Sequence, residues 1–291
     1  MKRNPKNKGR STSSKSVLFL SDMHVGSSYA ICSEAPVIGE IGSVHTPNKL
    51  QQTLFEKWLW VKDSLVQKPH IMVLNGEPCD GANTKQQGQQ SWTPNINDQL
   101  IDAYKLLSIF DKNYFLMTRG SNYHVQVDAT NYEEILARMM NCTPYSGLFD
   151  ISRDIRTDYY LTFRLNGKVF NVTHHIGFNR WFAYRTTSIA REMADMEFMR
   201  GRYWKDEDMP QVIVRSHAHY FVYVRFSNQH GFITPAWKFP DAHLFKGGMG
   251  GTAPSIGAVE VIVEPNGKIL AEPHIVNNTE YPKHCVLELS E

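Results

Sequence analysis

The feature that most constrains the fold of this chain is a short apolar run that ends abruptly in polar residues. Residues 17–20 are too few for a helix and bulky enough for a buried strand, and Asp22 and His24 follow them directly. A buried parallel strand carries the residues after it to the carboxyl edge of its sheet, where open α/β sheets bind ligands. Extended backbone would direct these two side chains to one face, where a carboxylate and an imidazole can hold a divalent metal.

The composition is that of an ordinary globular protein. The chain has 291 residues, a hydrophobic fraction of 42%, a charged fraction of 21% and a net charge of +2, which indicates no strongly basic or acidic partner. No apolar run approaches the roughly 20 residues that span a membrane, so we expect no membrane association. The cysteines are too scattered for a zinc ribbon or a disulfide framework, which favours a reduced, cytoplasmic setting; they are Cys32, Cys79, Cys142 and Cys285.

The domain organisation is predicted to be simple. Residues 1–15 are mostly basic and small polar residues, so we expect a disordered basic tail, which would be either a solvated segment or an electrostatic arm for nucleic acid. Residues 16–291 contain no repeat and no clear linker, and they are predicted to form a single domain. The predicted fold class is α/β, with a two-layer β-sandwich core flanked by helices.

Alternating strand and helix patterns support that fold class. An apolar stripe at helical spacing begins at Leu50 behind a capping Asn48, and a second buried strand follows at 71–74, which predicts a parallel pair. Helices are also predicted at 98–110, 132–140 and 181–202, and a strand at 114–117. Asn166-Gly167 predicts a hairpin between two further strands, and the strands after residue 220 are predicted to be antiparallel.

Five predicted strand ends carry polar residues of one chemical kind. Oxygen and imidazole ligands without thiolates suit zinc, iron(II) or manganese. There are more of them than one ion needs, so two ions are implied, and ions about 3.5–4 Å apart can clamp a displacement at phosphorus. The residues, in chain order, are Asp22 and His24, Glu77 and Asp80, Asn122 and His124, His174 and His175, and His217 and His219.

The order of these motifs resembles the calcineurin-like metallophosphoesterase superfamily, in the form of its divergent, phage-type members. That family runs Asp-x-His, Gly-Asp-x-x-Asp, Gly-Asn-His-Asp/Glu, a lone His and Gly-His-x-His. The corresponding segments here are 22–24, 76–80, 120–124, 174–175 and 216–219, so the resemblance spans about residues 16–226.

The resemblance implies a dinuclear site that hydrolyses phosphate esters by attack of a metal-bridged hydroxide. Manganese is the expected metal, with Fe²⁺, Zn²⁺ or Mg²⁺ as alternatives. His124 would be the catalytic acid that protonates the leaving oxygen or steadies the phosphate. The implied metal ligands are Asp22, His24 and His219 for the first ion, Glu77 as the bridge, and Asn122, His174 and His217 for the second ion.

Several departures from the family pattern leave alternatives open. Glu77 stands where the family has Asp, so either the site adapts to one added methylene or the second metal is weakened. Two extra residues precede His124, so either Asn122 or His124 is the ligand. His174 is preferred to His175 because it comes first at the strand end, and Asp80 is expected to cap or orient a loop. Ser216 replaces a Gly, which ordinary β backbone would allow.

The expected activity is that of a phosphodiesterase or nuclease, with nucleic acid as a possible partner. The alternatives are a phosphomonoesterase or protein phosphatase, and a non-catalytic binding module with a site degraded by Glu77. The sequence does not indicate an oligomeric state. Basic and aromatic residues around the predicted helix 181–202 favour nucleic acid but also suit a partly buried amphipathic helix; they are Arg180, Trp181, Tyr184, Arg185, Arg191, Arg200, Arg202 and Trp204.

Overall fold

The computed structural model describes residues 13–82, 88–127, 130–144, 154–246 and 254–277. Most of the proposed basic tail and Cys285 therefore lie outside the described residues. The strands are β1 (Lys15–Leu20), β2 (Val37–Ile38), β3 (Val44–His45), β4 (Ile71–Asn75), β5 (Tyr114–Thr118), β6 (Gln126–Val127), β7 (Thr130–Asn131), β8 (Thr157–Asp158), β9 (Leu161–Leu165), β10 (Lys168–Val172), β11 (Val212–Arg215), β12 (Val222–Phe226), β13 (Gln229–Ile233), β14 (Gly257–Val263) and β15 (Ile269–Ile275). The helices are α1 (Lys49–Ser64), α2 (Ile96–Ser108), α3 (Asn122–Val125), α4 (Tyr132–Met139), α5 (Arg185–Phe198) and α6 (Ala242–Lys246).

Two mixed sheets form the body of the protein. The first has the strand order β15-β14-β1-β4-β5-β8, in which β1, β4, β5 and β8 are parallel. In the same sheet, β14 is antiparallel to both of its neighbours, β1 and β15. The second has the order β12-β13-β11-β10-β9, with three parallel strands in its centre. The predicted two-layer sandwich is confirmed, although β13 pairs in parallel with β11 and is antiparallel only to β12.

The alternation of side chains along β1 explains why its residues 17–20 are all apolar. Val17 and Phe19 point into the core between the sheets, where Phe170 of the second sheet lies with its ring centroid 6.2 Å from that of Phe19. Leu18 and Leu20 point the other way and pack under the helices. A strand covered on both faces has no position for a polar residue until it ends.

Helices cover the outer faces of both sheets. On the first sheet, Trp58 of α1 packs edge-on against Trp237 and Phe110, at centroid distances of 4.6 and 5.1 Å. Asn48 caps α1 as predicted, because its side chain accepts a hydrogen bond from Gln51 N at 3.0 Å and its backbone N donates one to Gln51 Oε1. In α2, Leu100 and Leu107 are buried, whereas Tyr104 is 40% exposed.

The second half of the chain differs from the prediction mainly in its helix. The expected helix 181–202 is a 3₁₀ turn, Phe182–Tyr184, followed by the shorter α5, which packs on the second sheet through Ile189 and Met193. The predicted Asn166-Gly167 hairpin is confirmed, with φ values of 46° and 80°. Among the described residues, no helix is both long and apolar enough to cross a membrane.

We predict that the core between the sheets contributes strongly to stability. Phe170 is fully buried, so Phe170→Ala should lower the free energy of unfolding by about 3–5 kcal/mol in urea titrations. Phe198 is 81% exposed, and Phe198→Ala should change it by less than about 0.5 kcal/mol. Equal losses in the two variants would contradict this assignment of the core.

Candidate metal centre

The candidate centre lies where the carboxyl ends of parallel strands from both sheets meet. Backbone hydrogen bonds tie the loops after these strands together. In the first sheet, the amide of His24 donates to Glu77 O at 3.1 Å. In the second sheet, Ser216 N donates to His174 O at 2.9 Å, so the loops after β10 and β11 are also held side by side. All five predicted strand ends therefore open on this region.

Left-handed backbone sets the direction of the side chains in these loops. A non-glycine residue with positive φ is uncommon and costs about 1–3 kcal/mol, so it persists only where surrounding contacts fix it. The extended backbone expected at Asp22 and His24 is therefore wrong, whereas Ser216, whose replacement of a Gly required ordinary backbone, has no positive φ. The residues concerned, with their φ values, are Asp22 (51°), His24 (48°), Glu77 (55°), His217 (66°) and His219 (57°).

The first group of potential ligands contains Asp22, His24, Glu77 and His219, whose ligand atoms lie within 4.8 Å of one another. His24 Nε2 lies 3.0 Å from Glu77 Oε2 and 3.2 Å from His219 Nε2. Asp22 Oδ1 is also 3.2 Å from His219 Nε2. The three residues that the resemblance assigned to the first ion are thus brought together with the proposed bridge, and two imidazoles with two carboxylates suit a divalent transition metal.

The second group is a histidine cluster formed by His174, His175 and His217, again with ligand atoms within 4.8 Å. His174 Nδ1 lies 2.8 Å from Asn75 O, which leaves Nε2 for a ligand, and the rings of His175 and His217 stack at 4.2 Å. His217 Nδ1 is buried and has no hydrogen-bond partner among the described residues. A buried nitrogen without a partner is costly, and a bound cation would satisfy it.

Glu77 connects the two groups. Its Oε2 faces His24 of the first group, and its Oε1 lies 3.2 Å from His174 Nε2 of the second. Gly120 makes room for the longer side chain, because a Cβ there would fall 2.5 Å from Glu77 Cγ. The space left by Gly120 therefore accommodates the Glu77 side chain, and the effect of the added methylene on a second metal stays a prediction.

His124 belongs to a third group, with His24 and Asp80. Asp80 Oδ1 lies 3.2 Å from His24 Nδ1, and the backbone carbonyl of Asp80 lies 2.9 Å from His124 Nδ1. Lys238 Nζ is 3.2 Å from Asp80 Oδ1 and is itself buried. Asp80 thus orients two imidazoles, which is consistent with its expected role as an orienting residue.

Asn122 is placed differently from the other predicted ligands. Its side chain is exposed, and its Oδ1 accepts a hydrogen bond from Tyr159 OH at 2.8 Å. Ser121 stands closer to the proposed bridge, since its backbone N and its hydroxyl both donate to Glu77 Oε1. Asn122 lies on a pocket wall that it shares with His174 and His175.

Two residues that position the site, Glu133 and Lys238, belong to no sequence motif and were not predicted. Glu133, at the start of α4, accepts hydrogen bonds from Glu77 N at 2.9 Å and Gly120 N at 3.0 Å, so it fixes both loops. Its burial raises the pKa of its carboxyl to about 8, although those hydrogen bonds oppose the change. Lys238 is the other; a lysine after an apolar strand is ordinary in sequence, and its burial becomes evident only in the fold.

The electrostatics of the centre favour a cation. Burial and the charge of Lys238 lower the pKa of His24, but the charge of Glu77 and the hydrogen bonds that the ring donates to Asp80 and Glu77 outweigh them and raise that pKa to about 9. Burial also lowers the pKa of His174, but the negative charges of Glu77 and Asp22 outweigh it and raise that pKa to about 10. Burial holds the pKa of His217 near 4, so this imidazole is neutral at pH 7. The carboxylates of Asp22 and Glu77 therefore favour positive charge beside them, which bound protons or metal ions can provide.

Comparisons with known proteins give no family at the level of sequence. No family model matches the chain, and no curated protein matches it. Among solved structures, it is similar to Vps29 of Entamoeba histolytica in complex with Zn²⁺, with 8% identity, a TM-score of 0.39 and coverage of 90% of this chain and 99% of that chain.

Two further structures are similar at the same level. One is an archaeal phosphodiesterase, with 10% identity, a TM-score of 0.39 and coverage of 89% and 99% of the two chains. The other is YfcE, a phosphoesterase from E. coli, with 12% identity, a TM-score of 0.38 and coverage of 88% and 96%. Likeness of this degree does not identify a substrate, a metal or a partner, so the chemistry has to follow from the residues of this chain.

We predict that pH and metal act in opposite directions on stability. The folded pKa values of His24 and His174, about 9 and about 10, exceed the unfolded value of 6.5. Their protonation stabilises the metal-free fold fully below about pH 6.5, and this contribution is lost as pH rises through the folded values. In EDTA, the free energy of unfolding should therefore fall between about pH 7 and about pH 8.5.

Excess Mn²⁺ added under nitrogen should restore that stability, by about 2.7 kcal/mol at a hundredfold excess over Kd. The gain should be larger at the higher pH, because metal competes with protons for the same nitrogens. Asp22→Asn should reduce the gain, and His70→Ala, which changes a histidine outside the three groups, should leave it intact. A gain that is absent, or that is larger at the lower pH, would contradict the assignment.

Proposed function

We propose that this protein is a metal-dependent phosphoesterase with two divalent cations, of the kind its motifs resemble. The observation that carries the proposal is the position of Glu77, whose two oxygens face imidazoles of separate ligand groups. A carboxylate so placed suits a bridge between two ions. Asp22, His24 and His219 would hold one ion, and His174 and His217 the other, with Mn²⁺ as the first metal to test and Fe²⁺, Zn²⁺ and Mg²⁺ as alternatives.

Two cations at this position would supply activation of water and neutralisation of charge on the phosphate. The protein's own contribution is to orient the groups around them. Asp80 holds His24 and His124 in fixed directions, and its contact with Lys238 keeps its carboxylate in place. His124 Nδ1 lies 2.9 Å from the carbonyl oxygen of Asp80, which fixes the direction of the ring, and His124 is assigned to contact with the leaving oxygen or the phosphate. Burial and hydrogen bonds that fix catalytic groups beforehand are a general source of rate enhancement.

A phosphodiesterase or nuclease is the more specific form of the proposal. It is supported by an exposed aromatic strip, residues 178–184, that begins three residues after His175. Trp181, Phe182 and Tyr184 are 69%, 82% and 59% exposed, which is unusual for side chains of this size. Exposed rings beside arginines suit the stacking of bases and contact with phosphates.

The structure separates this strip from the rest of the predicted basic and aromatic helix. The inner face of α5 is explained by packing of Ile189 and Met193. Arg200 is paired with Glu197 and Asp206, so it is committed to local ion pairs. The front of the segment therefore supports the nucleic-acid proposal together with Arg185 and the exposed Arg191 of α5, whereas Ile189, Met193 and Arg200 do not. Activity on phosphomonoesters alone, or no activity, would favour the rival readings of a monoesterase or a binding module.

We predict that hydrolysis of bis(p-nitrophenyl) phosphate with Mn²⁺ depends on the ligand residues. Asp22→Asn should lower kcat by more than about 100-fold, because even the loss of a residue that only supports a metal ligand can cost that much. Glu77→Asp should also lower kcat, because the shorter side chain cannot reach both His24 and His174. His70→Ala should match the wild type. A large gain in Glu77→Asp over an inert wild type would contradict catalysis and favour a binding module.

A second prediction concerns single-stranded DNA. Replacing Trp181 and Phe182 with Ala should weaken binding at least about tenfold, since stacking contributes about 1–3 kcal/mol per base. Arg185→Ala with Arg191→Ala should weaken it further and flatten its dependence on salt. Tyr203→Ala, at a tyrosine that is 76% exposed elsewhere, is the matched control. Unchanged affinity in the aromatic variant, measured by fluorescence anisotropy, would remove the nuclease form of the proposal.

A further inference from the structure

A pocket opens beside the histidine cluster, and the ligand groups do not account for it. Its volume is about 370 Å³, which is within the usual range for small-molecule sites. His174 and His175, which belong to the second ligand group, are among its lining residues. Arg119, Asn122 and Tyr159 also line it and form a wall of quite different chemistry. A molecule in this pocket would therefore contact both the histidines and this wall.

That wall is held in a fixed arrangement before any ligand binds. Arg119 Nε donates to Thr157 Oγ1 at 3.0 Å, and the guanidinium lies 5.5 Å from the centroid of the Tyr159 ring. Tyr159 OH donates to Asn122 Oδ1 at 2.8 Å, which fixes the ring at its far end. A side chain that is already oriented loses little entropy when a ligand packs against it.

The chemistry of the wall matches a flat, polar ring. Tyr159 is 46% exposed, so its ring retains surface on which another ring can stack. The planar guanidinium of Arg119 offers a second stacking surface, and Asn122 Nδ2, which makes no hydrogen bond to the described residues, can donate to a ring nitrogen or carbonyl oxygen. An alkyl or sugar phosphate would leave this wall unused. A pocket of this size also excludes a folded phosphoprotein domain, which could insert only a single side chain.

We propose that this pocket, the Tyr159 pocket, binds the base of a nucleotide-type phosphate ester and places its phosphate toward His174 and His175. The inference rests on the proposed phosphoesterase function and adds the class of organic group that the site selects. It assigns Tyr159 as the stacking residue, Arg119 as its support, and Asn122 as a base contact in place of its predicted role as a metal ligand.

The test compares AMP with ribose 5-phosphate, which has the same phosphate and sugar type but no base. Binding of each is measured by calorimetry with the Mn²⁺-loaded protein. The wild type should bind AMP at least about tenfold more tightly, in line with the stacking of one base on an aromatic ring. In Tyr159→Ala the affinity for AMP should fall to within about twofold of that for ribose 5-phosphate, and the affinity for ribose 5-phosphate should not change.

Matched variants separate stacking from folding. Tyr159→Trp keeps a flat ring and should retain the preference for AMP, whereas Tyr203→Ala should behave as the wild type. Equal binding of the two compounds by the wild type, or a preference that survives in Tyr159→Ala, would overturn the pocket inference and leave the phosphoesterase proposal standing. Failure of both compounds to bind, together with no hydrolysis of bis(p-nitrophenyl) phosphate, would overturn both.

Discussion

The arrangement of the centre depends on two carboxylates, Asp22 and Glu77, that are buried against imidazoles. A buried charge is costly unless an opposite charge or a metal compensates it, so these residues can exist only where histidines are held beside them. The sandwich provides this by ending its parallel strands at a common edge. Three features keep opposite charges within reach of each other. They are the left-handed backbone of the loops, the carboxyl group of Glu133, and the contact between Asp80 and Lys238.

Much of the fold could be predicted because buried strands and amphipathic helices repeat along the chain at known periods. The ends of those strands also indicated the ligand candidates, since residues 17–20 of β1 are apolar without interruption and Ser21 and Asp22 follow them. The remainder depends on contacts between distant segments. Glu133 acts on the backbone of Glu77 across 56 residues, and no local pattern reports such a contact. The left-handed residues were also beyond prediction, because their strain is compensated by neighbouring loops and not by their own sequence.

The surroundings of the centre offer recognition at two scales. The Tyr159 pocket is small and suited to one planar group, whereas the exposed aromatic strip would contact several nucleotides of a strand. Both adjoin the loop that carries His174 and His175, on which the second ligand group depends. Selection by the exposed aromatic strip and metal binding would thus share one short segment, residues 174–184, so that a change there would alter both.

The close fit between Gly120 and Glu77 has a consequence for how this chain can evolve. The absence of a side chain at position 120 is what gives the Glu77 methylene its space, because any Cβ there would overlap with it. A Cβ at position 120 would also fall 2.8 Å from Glu77 N, so shortening residue 77 alone does not make a larger residue at 120 tolerable. Position 120 is therefore constrained by the backbone of residue 77 as well as by its side chain, and descendants of this sequence should keep Gly120 whichever acidic residue stands at 77.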